Sequence, residues 1–147
     1  MVAPQIFQLS VASAFDNLDR QQKLYAHYMF KAAWSGSRII FRQVSPEANS
    51  IFDFIMALYR SCDGDWEHLA RRENLDVCEV QPFLDYAVTF LSNMGNYYGS
   101  GDQKFTPDIS KGKLARSAAS AASRAATLWE QIKDPMFLIP LFGLGLP

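Results

Sequence analysis

The residues that could carry chemistry are few and lie far apart in the sequence. His27 and His68 belong to no H-E-x-x-H pattern, so the helical histidine pair that commonly binds zinc is missing. A structural role is the simpler interpretation of each histidine. Cys62 and Cys78 form no C-x-x-C pair, and free thiols in a reducing compartment are favoured over a disulfide. We therefore predict that this chain contributes no metal ligand and no catalytic residue.

Other catalytic signatures are also missing from the sequence. It contains no G-x-S-x-G elbow and no dinucleotide fingerprint. The run Gly99-Ser100-Gly101 resembles a phosphate-binding turn only in part, because the lysine and threonine of that motif do not directly follow it. The carboxylates are scattered and form no evident acid–base pair. The chain by itself is expected to be inactive.

A glycine-rich segment from residue 92 to 105 is the best candidate for binding a ligand. Its glycines let a ligand approach the backbone closely, its asparagines offer amide donors and acceptors, and its tyrosines offer flat apolar faces. Such a set suits an extended peptide. We assign a substrate-binding role to Asn93, Asn96, Tyr97, Gly99, Ser100, Gly101 and Asp102. An ordinary surface turn is the alternative, in which Asp102 accepts hydrogen bonds from its own turn.

Composition and charge narrow the class of protein. The 147 residues fit one domain or one lobe, and 49% of them are hydrophobic, so a sizeable core is possible. With 14 basic and 15 acidic residues, the chain lacks the cationic surplus of a nucleic-acid-binding protein. No secretory signal is visible, and the apolar tail 136–147 is shorter than the ~20 residues of a membrane span. We expect a cytoplasmic protein that does not bind membranes.

Helix signals dominate the first two thirds of the sequence. Apolar residues at helical spacing follow Asp19, and Gly36 is expected to break or kink that helix. The triplet Ser45-Pro46-Glu47 predicts a helix start, with the serine as the cap. Gly64 is expected to end that helix. Asp65 is expected to cap a short helix over 66–73, and Asp76 with Glu79 has the spacing of a capping box.

The last third combines a long loop with one further helix. The helical pattern stops over 95–109 and resumes after Ser110, the predicted cap. The apolar stripe of that helix consists of Leu114, Ala118, Ala121, Ala125, Leu128 and Ile132. Its alanines allow another helix to approach closely. Lys111, Lys113 and Arg116 oppose the helix dipole, and either an acidic partner or ligand offsets them or solvent screens them. We predict an all-α fold of about five helices with one long glycine-rich loop.

Several blocks of sequence in a fixed order resemble dipeptidyl peptidase III, the M49 family of zinc metallopeptidases. The blocks are Leu24-Tyr25-Ala26-His27-Tyr28 with Lys31-Ala32-Ala33-Trp34, Gln43 to Ala48, Ser92 to Tyr97, and Gly101-Asp102-x-Lys104-Phe105-x-Pro107. Lys113-Leu114 and Leu128-Trp129 follow at the expected separation. The resemblance covers about residues 5 to 137. It departs from the family at Ser100, where an aromatic residue usually precedes Gly-Asp.

The resemblance implies a place within a larger enzyme. Family members are two-lobed cytosolic zinc exopeptidases that release dipeptides from the N-termini of short peptides. Residues 1–147 would be one helical fragment, the N-terminal part of the lower lobe, with the apolar tail 136–147 at the truncation point. Zinc would belong to the full-length member. The glycine-rich loop would reach the cleft that binds short peptides, and the partner would be the rest of the peptidase, a lower-lobe barrel and a zinc lobe.

Two other hypotheses remain open at this point. The chain is alternatively a stand-alone, non-catalytic helical module that binds peptides or another protein. It is alternatively a degenerate product without independent stability, whose exposed apolar surface would promote association. The tail residues Phe137, Leu138, Ile139, Leu141 and Phe142 are candidates for that surface.

Overall fold

Helices account for all the regular structure in the described part of the chain. The computed structural model describes residues 10–98, 103–121 and 123–139. Within these residues there are seven helices and no strand, so the predicted all-α class is confirmed. They are α1 (Ala12–Asp16), α2 (Arg20–Val44), α3 (Ala48–Cys62), α4 (Trp66–Arg72), α5 (Val77–Asn93), α6 (Lys111–Ala121) and α7 (Ser123–Ile132).

Side-chain caps fix three helix starts where the sequence predicts them. Asp19 accepts from the backbone N–H of Gln22, whose side chain accepts from the backbone N–H of Asp19. Asp76 and Glu79 form the second capping box. Asp65 caps α4 by accepting from the backbone N–H of His68 at 2.8 Å. Each cap satisfies backbone donors that have no partner within the helix.

Gly36 does not break its helix, so the break that was one of the two predicted outcomes is wrong. Helix α2 runs without interruption from Arg20 to Val44. A single glycine inside a helix costs about 1 kcal/mol relative to alanine, which the hydrogen bonds of 25 helical residues outweigh. A Cβ atom added at Gly36 would meet nothing within 4 Å.

The predicted cap at Ser45 is also wrong. Ser45 ends α2, and α3 begins at Ala48 without a side-chain cap. The Ser45 hydroxyl instead donates to Asn96 Oδ1 at 2.8 Å. A buried partner therefore outcompetes the local backbone N–H that the sequence pattern favours.

The core forms around α3, which contacts α2, α4, α6 and α7. Phe54 of α3 is fully buried, with its ring 5.8 Å from Trp129 and 6.2 Å from Phe83. The predicted stripe of the last helix faces this core: Leu114, Ala118, Ala125, Leu128 and Ile132 are buried. Residue 122, between α6 and α7, lies outside the described residues. The small side chains of the stripe fit the close approach of α3.

Two of the three cations near the start of α6 are paired with carboxylates of the same chain. Lys113 Nζ lies 2.7 Å from Glu79, and Lys111 Nζ lies 3.0 Å from Asp134. Burial of their partners is slight, so each pair contributes little stability. These carboxylates, from α5 and the residues after α7, take the place of the external acidic partner considered above.

We predict that Gly36→Ala stabilises the chain by about 0.5–1 kcal/mol, because alanine has the higher helix propensity and the space beside Gly36 is open. Urea unfolding followed by circular dichroism would measure the change. Gly112→Ala is the matched control, since Gly112 also has open space but lies in the first turn of α6, where the effect is smaller. A lowered midpoint for Gly36→Ala alone would contradict the prediction.

Candidate functional site

The base of the glycine-rich loop is held by four polar side chains, which we call the polar node: Ser45, Glu47, Asn96 and Lys104. Asn96 is fully buried, and the Lys104 side chain is only 5% exposed. Asn96 Nδ2 donates to Glu47 Oε1 at 2.9 Å, and Lys104 Nζ donates to the same oxygen at 2.5 Å. The node therefore joins the loop to the junction between α2 and α3.

Lys104 also links the loop to the C-terminal part of the chain. Its Nζ donates to the backbone carbonyl of Pro135 at 2.7 Å. The ammonium group has three donors, and the carboxylate and this carbonyl satisfy two of them. The same Nζ lies 5.8 Å from the ring centroid of Tyr97, within the range of a cation–π contact. One buried cation thus contacts three separate parts of the chain.

The charge state of the node follows from these contacts. Burial by itself would raise the pKa of the Glu47 carboxyl, but the hydrogen bonds from Lys104 and Asn96 outweigh it, so the pKa lies below its usual value. Burial, and after it the charge of Glu47, raises the pKa of the Tyr97 hydroxyl. Glu47 is therefore ionised and Tyr97 neutral at neutral pH, and the node carries a matched ion pair.

Backbone hydrogen bonds close the loop above the node. Tyr97 and Lys104 form an isolated antiparallel bridge, Tyr98 N donates to Gln103 O at 2.9 Å, and Phe105 N donates to Asn96 O at 3.1 Å. Phe105 is buried below, with its ring 5.6 Å from that of Tyr86. The described ends of the loop, residues 96–98 and 103–105, are therefore paired with each other and anchored on the core.

The turn that enters the loop requires glycine at position 95. Met94 is left-handed with φ of 53°, and Gly95 follows with φ of 155°. Gly95 N donates to Phe90 O at 3.0 Å, as at the end of many helices. A Cβ atom on Gly95 would lie 2.4 Å from Val44 Cγ1, which is closer than atoms can approach. The loop base is thus packed directly on the end of α2.

The predicted site residues divide into three groups. Asn96 lies inside the protein and positions the loop, and Asn93 Nδ2 donates to Thr89 O within α5 at 2.9 Å. Tyr97 is partly exposed beside the node. The remaining four are Gly99, Ser100, Gly101 and Asp102, which we call the loop tip from their place in the sequence, and they lie outside the described residues. The substrate-binding role therefore stays a prediction.

Sequence reasoning missed Lys104 and gave Glu47 a different role. In the sequence, Glu47 is part of a predicted helix start, and Lys104 is part of a family motif. Their contact spans 57 positions in the sequence, and no local pattern signals it. The one hint in the sequence is that Lys104 lies directly before Phe105, an apolar residue whose side chain is buried, so Lys104 also lies close to the core.

Metal ligands do not come together in the described residues. No group of three or more His, Cys, Asp or Glu side chains is close enough there to hold an ion. His27 and His68 are both exposed, on α2 and α4. Cys62 is buried and Cys78 exposed, and both are free thiols as predicted. The described side chains therefore do not fit a zinc centre.

The described residues form an all-α segment in which the base of a glycine-rich loop rests on a buried ion pair. No protein-family model matches the chain. Among curated proteins it is similar to dipeptidyl peptidase 3 of Mus musculus, with 38% identity over 96% of this chain and 20% of that protein. The protein of the same name from Homo sapiens is 36% identical over 96% of this chain and 20% of its own length. That of Nematostella vectensis is 34% identical over 88% and 19%.

The chain is therefore homologous to a segment of dipeptidyl peptidase 3, and the family resemblance seen in the sequence is confirmed. It spans about a fifth of the length of the curated relatives that it matches. Within the described residues, no helix is both long and apolar enough to span a bilayer.

We predict that Lys104→Met destabilises the chain by about 3 kcal/mol, because it leaves the Glu47 carboxylate buried without its cation. The change should be measured by urea unfolding at pH 7. Glu47→Gln added to Lys104→Met should recover part of the loss. The control is Lys133→Met, since Lys133 lies at the same 2.5 Å from Glu130 but this pair is exposed, and little change is expected. Equal effects of the two substitutions would refute the importance of burial.

The same pair predicts a pH dependence with a definite sign. The pKa of Glu47 is lower in the folded chain than its unfolded value near 4.5. A lowered carboxyl pKa stabilises the fold above the unfolded pKa, and that stability is lost as the pH falls through the folded value. Urea unfolding from pH 7 to pH 3 should show a steeper loss for the wild type than for Glu47→Gln. Parallel curves would contradict the assignment.

We predict that Gly95→Ala destabilises the chain by about 2 kcal/mol or more, through backbone strain and the clash with Val44. Thermal unfolding would measure it. Val44→Ala in the Gly95→Ala background should relieve the steric part and leave the strain. Strict additivity of the two substitutions would show that the contact is not responsible.

Proposed function

We propose that the chain provides the substrate-cleft loop and its scaffold in a dipeptidyl peptidase 3-like zinc exopeptidase. The catalytic zinc would be held by residues outside this chain, because the described side chains do not form a fitting set of ligands. The observation that supports the loop role most directly is the polar node. A loop that grips a peptide must keep its shape while its tip stays free, and a buried ion pair beneath paired ends provides that support.

The roles of the loop residues differ in this proposal. The tip, Gly99, Ser100, Gly101 and Asp102, would contact the peptide backbone and its charged N-terminus. Tyr97 would present its ring at the edge of the site, next to the cation of Lys104. Asn96 would act as a positioning residue, since both ends of its amide are used inside the node. A single carboxylate in the tip suits the ammonium group of a peptide N-terminus.

The alternative is a stand-alone module that binds peptides without cleaving them. The support for it is that the hydrogen bonds of the polar node named above are all made between described residues of this chain. The two functions differ in what happens when the rest of a peptidase is supplied. A chimera in which this chain replaces the matched segment of the mouse relative distinguishes the two functions.

We predict that the zinc-supplemented chimera releases dipeptides from a dipeptidyl-arylamide substrate, and that the isolated 147-residue chain does not. Asp102→Asn in the chimera should raise KM roughly tenfold with a smaller change in kcat, because the lost contact is to bound substrate. Asp108→Asn is the matched control, since Asp108 is an exposed aspartate of the same loop. Equal KM values for the two variants would refute the tip's role.

Measurements on the isolated chain separate the alternative. Binding of a short peptide by the isolated chain, together with an inactive but folded chimera, would favour the module. Peptide titrations should be followed through Tyr97 and its neighbours by NMR. Hydrolysis by the pure isolated chain would overturn both proposals.

A further inference from the structure

Helix α2 leaves the body of the protein and carries its apolar side chains into solvent. Of its 25 residues only Ser37 and Phe41 are buried, both near the C-terminal end, where α2 contacts α3. At 1.5 Å per residue the helix is about 37 Å long. Its exposed large apolar residues are Leu24, Tyr25, Tyr28, Met29, Phe30, Trp34, Ile39 and Ile40, each between 42% and 69% exposed. A helix with this surface is stable only when something packs against it.

One apolar face of α2 continues the stripe that already packs on the body. Phe30 and Trp34 precede Ser37 and Phe41 at intervals of four, three and four residues, the spacing of one helix face. Phe41 is fully buried and stacks on Phe90 of α5, with ring centroids 5.4 Å apart. Whatever covers Phe30 and Trp34 therefore adjoins the surface of the body.

A second apolar face lies about 150° away around the helix. It consists of Tyr25, Tyr28, Met29, Ile39 and Ile40, with Ala32 and Gly36 in the middle. Because Gly36 has open space where a Cβ would stand, a neighbouring backbone can approach this face closely. A helix lying on a membrane or paired in a two-fold dimer buries one stripe, whereas α2 offers two on opposite sides. Opposite apolar faces are typical of a helix enclosed in a larger core.

The charges of α2 restrict the chemistry of its surroundings. The helix contains Arg20, Lys23, Lys31, Arg38 and Arg42 and no acidic residue, although the chain as a whole has a net charge of −1. Arg38 is paired with Asp53 of α3. The occupant of the two faces should therefore offer apolar side chains with carboxylates at their margins.

We propose that α2 is enclosed on both faces by the part of a dipeptidyl peptidase 3 polypeptide that this chain does not contain, about four fifths of the length of the mouse relative. This rests on the proposed function and names the surface through which the chain joins the rest of the enzyme. The exposed side chains Leu138 and Ile139, which follow α7, are a further apolar surface of the described chain and are not needed for the inference.

Cysteine labelling tests the enclosure. In a Cys78→Ser background, which leaves the buried Cys62 as the one native thiol of this chain, Tyr28→Cys probes one face and Phe30→Cys the other. Each is compared in the isolated chain and in the chimera with the mouse relative. We expect maleimide to label both positions rapidly in the isolated chain and at least roughly tenfold more slowly in the chimera, because a packed thiol reacts only after local opening. Ser10→Cys, before α1, gives the rate of an exposed thiol in each protein.

Each outcome of the labelling decides the inference. Equal rates in the two proteins at either position would overturn it. Protection already present in the isolated chain, with a dimeric mass by sedimentation, would assign the surface to a second copy and overturn it as well. An insoluble chimera would also count against the inference if the mouse protein itself is soluble. The two faces of α2 should pack in the chimera as the matched helix of the mouse protein does. Protection of the thiols without dipeptide release would support the enclosure of α2 and refute the proposed function. Dipeptide release without protection would support the proposed function and refute the enclosure.

A substitution at Gly36 provides a second test. Gly36→Leu should leave the thermal midpoint of the isolated chain unchanged or raised, because leucine favours helix and meets no neighbour there. In the chimera the same substitution should lower the midpoint, because the enclosing backbone occupies that space. The same sign of change in both proteins would contradict close packing at Gly36.

Discussion

The buried ion pair between Glu47 and Lys104 is the contact on which the candidate site depends. It lies where three stretches of chain meet: the junction of α2 and α3, the end of the loop around Lys104, and the residues after α7. Desolvating two charges is unfavourable unless their remaining hydrogen-bonding groups are satisfied, and Asn96 and Pro135 supply those partners. The node accordingly fixes the register of the loop, since moving Lys104 by a single position would leave the Glu47 carboxylate buried without its cation.

Local features of the fold were predictable because their causes are local. Asp19, Asp65 and Asp76 each accept a hydrogen bond from a backbone N–H two or three residues later. Short polar side chains of this kind identify helix starts without any tertiary information. The stripe of α6 and α7 follows from helical periodicity alone. Gly36 and Ser45 were misjudged for the opposite reason. The helix continues through Gly36 because α2 is long, and Ser45 does not cap α3 because its hydroxyl donates to the buried amide of Asn96.

The sequence was enough to locate the candidate site in the glycine-rich segment, but not to predict which side chains contact each other there. Glycine, asparagine and tyrosine in the loop indicated a ligand-binding surface, and the chain's homology to dipeptidyl peptidase 3 agrees with the blocks quoted from the sequence. The composition could not show that Asn96 points inward, since an amide suits a ligand and a buried carboxylate equally well. Nor could it identify Glu47 as the partner of Lys104, because side chains 57 positions apart meet only once the helices have packed.

The bond from Lys104 to the carbonyl of Pro135 has a consequence for local motion. It connects the loop to the turn that follows α7, where Met136 is fully buried. Fraying of that turn would remove an acceptor from the Lys104 ammonium group and loosen the loop segment that contains Lys104. The backbone amides of Phe105 and Met136 are therefore expected to exchange with solvent deuterium in one cooperative opening, even though 31 positions separate them in sequence. The turn after α7 therefore stabilises the loop, although the two segments are far apart in the sequence.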